Sequence, residues 1–165
     1  MSLKNPVIAI TGSSGAGTTS VTKSFQHIFR REKLNAAIIE GDSFHRYNRQ
    51  EMRETMAASS FAGPEANLLA ELAELFREYG ETGRGRSRHY IHDAAEAEHY
   101  GAPPGTFTEW RDLPENTDLL FYEGLHGAAQ TDTIDIARHV DLCIGVVPII
   151  NLEWIQKLHR DKAHR

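Results

Sequence analysis

Four short apolar runs punctuate an otherwise polar chain: Val7–Ile10, Ala36–Ile39, Leu119–Tyr122 and the run within Asp141–Val147. Continuous apolar runs of this length predict strands buried on both faces, as in a parallel sheet. Between them, apolar residues recur at helical spacing. Val21, Phe25, Ile28 and Phe29 give Ser20–Arg31 an apolar stripe, and Arg30 and Arg31 close it at the negative end of its dipole. Leu68, Leu69, Leu72, Leu75 and Phe76 do the same for Pro64–Tyr79, with Pro64 suited to the first turn and Gly80 to the C′ position. Pro148 ends the fourth run, Asn151 can cap a last helix, and Leu152 and Ile155 mark that helix's apolar face. Thr106–Trp110 reads as a short strand and Leu113–Thr117 as a turn. Glu81–Gly105 has no period and reads as irregular, although it holds Arg84, Arg86, Arg88, His89, Tyr90 and His92. Alternating strands and helices predict an α/β fold, a mostly parallel sheet flanked by helices, in a single domain over residues 1–165.

Composition narrows the class. The 165 residues are 40% hydrophobic and 25% charged, ordinary for a globular domain with a real core. A formal net charge of -5 gives no basic field to draw in nucleic acid, and the cluster Arg84–Arg88 lacks interleaved stacking aromatics beyond Tyr90. No apolar run is long enough to span a bilayer, and the first strand begins too early to leave room for a signal peptide. The single cysteine, Cys143, sits in an apolar run and reads as a small core residue, so a reducing cytoplasm is expected. The chain stops at Arg165 within a helical pattern, and a longer parent protein is expected.

The chemistry starts at GSSGAGTT, Gly12 to Thr19, between the first strand and the first helix. Strand, glycine loop, helix is the context of a phosphate-binding loop. The glycines let consecutive N–H groups turn inward, and the helix N-terminus adds its positive end. Gly12 and Gly17 fit the pattern G-x-x-x-x-G-K-[ST], and Thr19 supplies the hydroxyl usually found on Mg²⁺, but Thr18 stands where the lysine belongs. The expected cradle is Gly12, Ser13, Ser14, Gly15, Ala16, Gly17, Thr18, Thr19 and Ser20, without its usual point charge.

Open parallel sheets gather ligand chemistry beyond the carboxyl ends of their strands. Asp42 and His45 follow the second strand and should share the loop's rim. Asp42 is a candidate general base there, or a turn cap. His45 and Arg49 either bind a substrate phosphate or face water, and the polar segment Arg46–Gly63 is either a substrate-facing insertion or a solvated helix. Glu123, ending the third strand, is placed to order a metal shell with Thr19. Lys157, Arg160, Asp161 and His164 share one helix face, which either supplies the cationic charge Thr18 cannot or is simply solvated.

The blocks GSSGAGTT, EGDSFHRYNR, FREYGETGRGRSRHYIHD, FYEGLHGA and GVVPIINLEWIQKLHRD closely resemble the bacterial phosphoribulokinases, P-loop kinases related to the uridine kinases. The resemblance runs from about residue 5 to the end and includes the unusual threonine after Gly17. It implies ATP and Mg²⁺ as cofactors and transfer of the γ-phosphate to the C1 hydroxyl of D-ribulose 5-phosphate, a step of carbon fixation. It further implies Asp42 as catalytic base, His45, Arg49 and Arg165 as sugar-phosphate ligands, and Glu123 as the metal-shell acid. Lys157 and Arg160 become cations of a lid, one on the transferred group and one on the nucleotide, with Asp161 a second catalytic acid. Family members respond to NADH and AMP, for which Arg31 is a contact candidate, and they are homo-oligomers when full length. Plant-type members carry a regulatory cysteine in the phosphate loop; this loop has none, so disulfide switching is not expected. A uridine or pantothenate kinase of the same fold, and a nucleotide-binding module without turnover, are the alternatives.

Overall fold

The computed structural model describes residues 4–13, 15–55 and 60–164. Four strands form one parallel sheet: β1 (Val7–Thr11), β2 (Ala36–Glu40), β5 (Leu119–Gly124) and β6 (Leu142–Gly145), in the order β2-β5-β1-β6. Two further strands, β3 (Arg86–Ser87) and β4 (Arg111–Asp112), pair antiparallel in a separate small ribbon. The helices are α1 (Thr18–Glu32), α2 (Arg49–Thr55), α3 (Leu69–Thr82), α4 (Ala94–Tyr100) and α5 (Ile150–His164). None of the described helices is long and apolar enough to cross a membrane.

Burial on both faces explains why the central strands β1 and β5 carry no polar alternation, whereas Ile38 of β2 and Leu142 of β6, on the edge strands, are exposed. One face of β1, β2 and β5 packs Val7, Ala9, Ala37, Ile39, Leu120 and Tyr122 against Leu69, Leu72, Phe76 and Tyr79 of α3. The other packs Ile10, Leu119 and Phe121 against α1, with the Phe121 ring 5.2 Å from Phe25 and 5.1 Å from Phe29. β5 is buried along its apolar length, so its sequence reads as a solid run. The chain leaves β1, crosses through α1 to β2, and later fills the gap between them with β5. All four strands therefore end at the same rim.

α3 starts at Leu69 rather than Pro64, because residues 64–67 are drawn into turns by Asn67, whose side chain donates to the carbonyls of Phe61 and Gly63. It runs past Gly80 to Thr82 and is closed by Gly83 in the left-handed region at φ 71. Thr106–Trp110 is not a strand; it contributes a single bridge, Tyr90 to Phe107, and pairing resumes at Arg111. The irregular segment contains α4, capped by Asp93, whose carboxylate accepts from the N–H groups of Ala95 and Glu96. Ile28 is exposed, and so is Cys143, because β6 is an edge strand and its residues are largely uncovered. Asn151 lies inside α5 rather than at its cap, and Leu152 and Ile155 are exposed.

Candidate active site

The glycine loop leaves β1 at Thr11 and enters α1 at Thr18. Gly15 and Gly17 take φ 92 and 95, the left-handed region that glycine adopts without a Cβ penalty. Gly12 is needed for a different reason: a Cβ there would come within 2.8 Å of the Val146 carbonyl. Gly17 caps α1 with no side-chain hydrogen bond, so the positive end of the helix stays available to an anion. Beside the loop lies a hollow of about 330 Å³ lined by Thr11, Gly12, Ser13, Leu125 and Gly145 to Pro148. Ser14 lies outside the described residues.

Sheet register brings the acids to the same rim. Glu123 sits between Ile10 on β1 and Glu40 on β2, one residue below the Thr11–Gly124 pair. Oxygen donors such as Thr19 and Glu123 suit Mg²⁺, which takes few protein ligands and completes its shell with phosphates and water. Among the described residues no group of three His, Cys, Asp or Glu could hold a metal alone.

Beyond β2 a 3₁₀ turn, Gly41–Phe44, carries Asp42 onto the rim, half exposed. Two glycines bring it close to the β5 end. A Cβ on Gly41 would stand 2.9 Å from Gly124 Cα, and one on either glycine would stand 2.6 Å from the Tyr122 hydroxyl. The turn is held from its far side by Arg88, whose guanidinium donates to the carbonyls of Ser43 and His45 and lies 3.6 Å over the Phe107 ring. Burial pulls the Arg88 pKa below the ordinary value.

His45 joins Asp42. Its Nε2 lies 3.3 Å from Asp42 Oδ1, and its Nδ1 lies 2.8 Å from Asn67 Oδ1. Burial alone would lower the imidazole pKa, but the hydrogen bond and charge of Asp42, aided by Asn67, reverse this and raise it. Arg49 stands on the same wall: its Nε donates to the Tyr90 hydroxyl at 3.3 Å and its Nη2 to the His92 carbonyl at 3.4 Å. Gly105 makes room for it, since a Cβ there would meet Arg49 Cβ at 2.9 Å.

An acid–imidazole cluster flanks this wall. Glu40 Oε2 is 3.7 Å from His89 Nδ1 and 3.9 Å from His92 Nε2, while His92 Nε2 is 3.9 Å from Asp42 Oδ2. Among the described residues, Glu40 Oε2 and His89 Nε2 find no hydrogen-bond partner although both atoms are buried. Burial raises the Glu40 pKa, with the two imidazoles only partly opposing it.

The structure thus brings together the loop, Glu123, Asp42, His45 and Arg49. Lys157, Arg160 and Asp161 fall on α5 at i, i+3 and i+4 spacing, with the Lys157 side chain exposed. The side chains of Arg160 and Asp161, and all of Arg165, lie outside the description. Arg31 sits at the opposite end of α1 from the loop, paired with Glu32 at 2.7 Å. Nothing in the sequence singles out Glu40, Asn67 or Tyr122. Each sits in an unremarkable apolar or helical pattern, and only its neighbours across the fold mark it.

Residues 7–165 match the model of the "Phosphoribulokinase / Uridine kinase family". The chain is 62% identical to a phosphoribulokinase of Nitrobacter vulgaris, over 98% of this chain and 59% of that protein. It is also 62% identical to one of Xanthobacter flavus, over 100% of this chain and 60% of that protein. A solved phosphoribulokinase from Rhodobacter spheroides superposes with a TM-score of 0.82 at 49% identity, covering 98% of this chain and 58% of that one. A possible uridine kinase from Bacillus stearothermophilus, 15% identical, shares the fold with a TM-score of 0.66, covering 99% of this chain and 85% of that one. The chain spans about three fifths of the length of the curated relatives named here.

Proposed function

The chain belongs to the phosphoribulokinase / uridine kinase family, and from that premise we propose that the protein transfers the γ-phosphoryl group of ATP to the C1 hydroxyl of D-ribulose 5-phosphate. The product is D-ribulose 1,5-bisphosphate. The observation that carries this reading is a shared rim: a glycine loop opening a helix stands at the same end of the sheet as a carboxylate already paired with an imidazole.

The loop amides and the positive end of α1 hold the nucleotide phosphates. Mg²⁺, when bound through Thr19 and Glu123, supplies charge neutralisation on those phosphates. Asp42 accepts the proton of the C1 hydroxyl as that oxygen forms its bond to the γ-phosphorus, and the bond to the β–γ bridging oxygen breaks to release ADP. Because Thr18 leaves the loop without an ammonium, Lys157 and Arg160 deliver cationic charge from α5, and Asp161 assists from the same face. His45, Arg49 and Arg165 bind the phosphate already on the sugar. NADH and AMP act as effectors with Arg31 among their contacts, and the protein assembles as a homo-oligomer.

The test is an ADP-release assay with ribulose 5-phosphate and with uridine as rival acceptors, product identity being checked by mass. Turnover of uridine and none of the sugar phosphate overturns the proposal. Asp42→Ala should cost kcat while nucleotide affinity is kept, the signature of a group that acts in the transition state.

A further inference from the structure

We infer that Asn67 is a positioning residue that holds the proton of neutral His45 on Nδ1, so that the ring becomes a donor to the Asp42 carboxylate only when it is charged. Donor and acceptor chemistry fixes the orientation of both side chains. Asn67 is 1% exposed. Its Nδ2 lies 2.7 Å from the Gly63 carbonyl and 3.0 Å from the Phe61 carbonyl. Carbonyls only accept, so the NH₂ must face them and Oδ1 must face His45. An amide oxygen is an acceptor, so the Nδ1 that lies 2.8 Å from it carries a hydrogen.

The backbone holds both side chains in place. His45 and Asn67 face each other in an antiparallel bridge, with Arg46 N–H donating to the Ala66 carbonyl at 2.8 Å and Leu68 N–H to the Phe44 carbonyl at 2.7 Å. With Nδ1 protonated, a neutral His45 would turn the Nε2 lone pair toward the Asp42 oxygen 3.3 Å away. Two acceptors then confront each other. Adding a proton at Nε2 converts this repulsion into a charge-assisted hydrogen bond. Asn67 thereby couples the ionised base to an imidazolium, the state in which His45 carries charge toward a substrate phosphate.

The groups facing this pair come from several elements. Arg88 reaches the Ser43 and His45 carbonyls from the loop after β3, and Tyr90 meets the His45 ring edge-on at 6.1 Å. His126, after β5, is held low in pKa chiefly by burial, and His92 stands 3.9 Å from Asp42. None of them can stand in for Asn67 at Nδ1, which the amide oxygen occupies.

The inference rests on the kinase reading only for the role of Asp42, so its test is spectroscopic and needs no substrate. Long-range ¹H–¹⁵N spectra of the labelled protein, assigned with His45→Gln, report both the His45 pKa and its neutral tautomer. The expected result is a neutral form protonated at Nδ1, the minor tautomer of free histidine. Asn67→Leu should lower the His45 pKa by about half a pH unit or more and return the tautomer toward Nε2–H. A wild-type neutral form protonated at Nε2 overturns the inference even where the leucine variant fails to fold. An unchanged pKa and tautomer in a folded Asn67→Leu overturns it as well.

Discussion

Gly41→Ala tests whether the rim is built by backbone contact. Gly41 opens the turn that presents Asp42, and Gly124 ends the strand that presents Glu123. An alanine methyl would lie 2.6 Å from the Tyr122 hydroxyl, 2.9 Å from Gly124 Cα and 3.3 Å from the Glu123 carbonyl. Tyr122 cannot swing aside, being fully buried with its ring 5.4 Å from Phe76. Burial also raises its pKa, so the hydroxyl stays neutral across the working range. Forcing a methyl into such a site costs about 1–3 kcal/mol. At about 2–4 °C per kcal/mol for a chain of this size, Tm should fall by about 2–12 °C. Tyr122→Phe alone should cost about 0.5–1.5 kcal/mol, since the His126 N–H loses its acceptor; that contact is 3.3 Å long. The double variant removes the tightest clash but keeps Gly124 Cα, so it should be more stable than the sum of the single losses by at least about 0.5 kcal/mol. Urea unfolding of the four proteins measures the cycle. A Gly41→Ala protein within about 0.5 kcal/mol of wild type, or strict additivity, would refute the reasoning.

Three further outcomes are expected. Arg88→Met leaves the carbonyls of Ser43 and His45 without their donor and removes the charge over Phe107, so unfolding in urea should show a loss of about 2–3 kcal/mol, with Arg88→Lys restoring little because an ammonium lacks the fork. His45 has a folded pKa raised above the model-peptide value of 6.5. Its contribution is therefore complete below that value and lost as pH rises through the folded pKa, so the stability gap between wild type and His45→Gln should be wider at low pH than at high pH. An equal gap, read by urea unfolding on either side of the transition, counts against the Asp42 pairing. Asp93→Ala removes the acceptor of two N–H groups at 2.9 and 3.0 Å and should cost about 1 kcal/mol by the same assay, with helix content near Ala94–Tyr100 reduced in hydrogen exchange.

What the sequence determined by itself follows from local rules. The strands of the sheet, the glycine loop, and the presence of Asp42 and Glu123 just beyond strand ends were all legible, because a strand buried on both faces must be apolar throughout and a loop that wraps an anion must be glycine-rich. Thr18 in place of lysine was equally plain. Tertiary structure decided the rest. Asn67 looks like the first turn of an amphipathic helix, and Leu69, Leu72 and Phe76 after it keep that period. Its amide is instead spent on Phe61, Gly63 and His45, so the helix begins later. Cys143 and Ile28 carry core-like side chains but are exposed, because strand order puts β6 at an edge and helix phase turns Ile28 outward. Pairing His45 with Asp42 needed only a short turn; pairing it with Asn67 needed a bridge across 22 positions, and period and propensity carry no information over that distance.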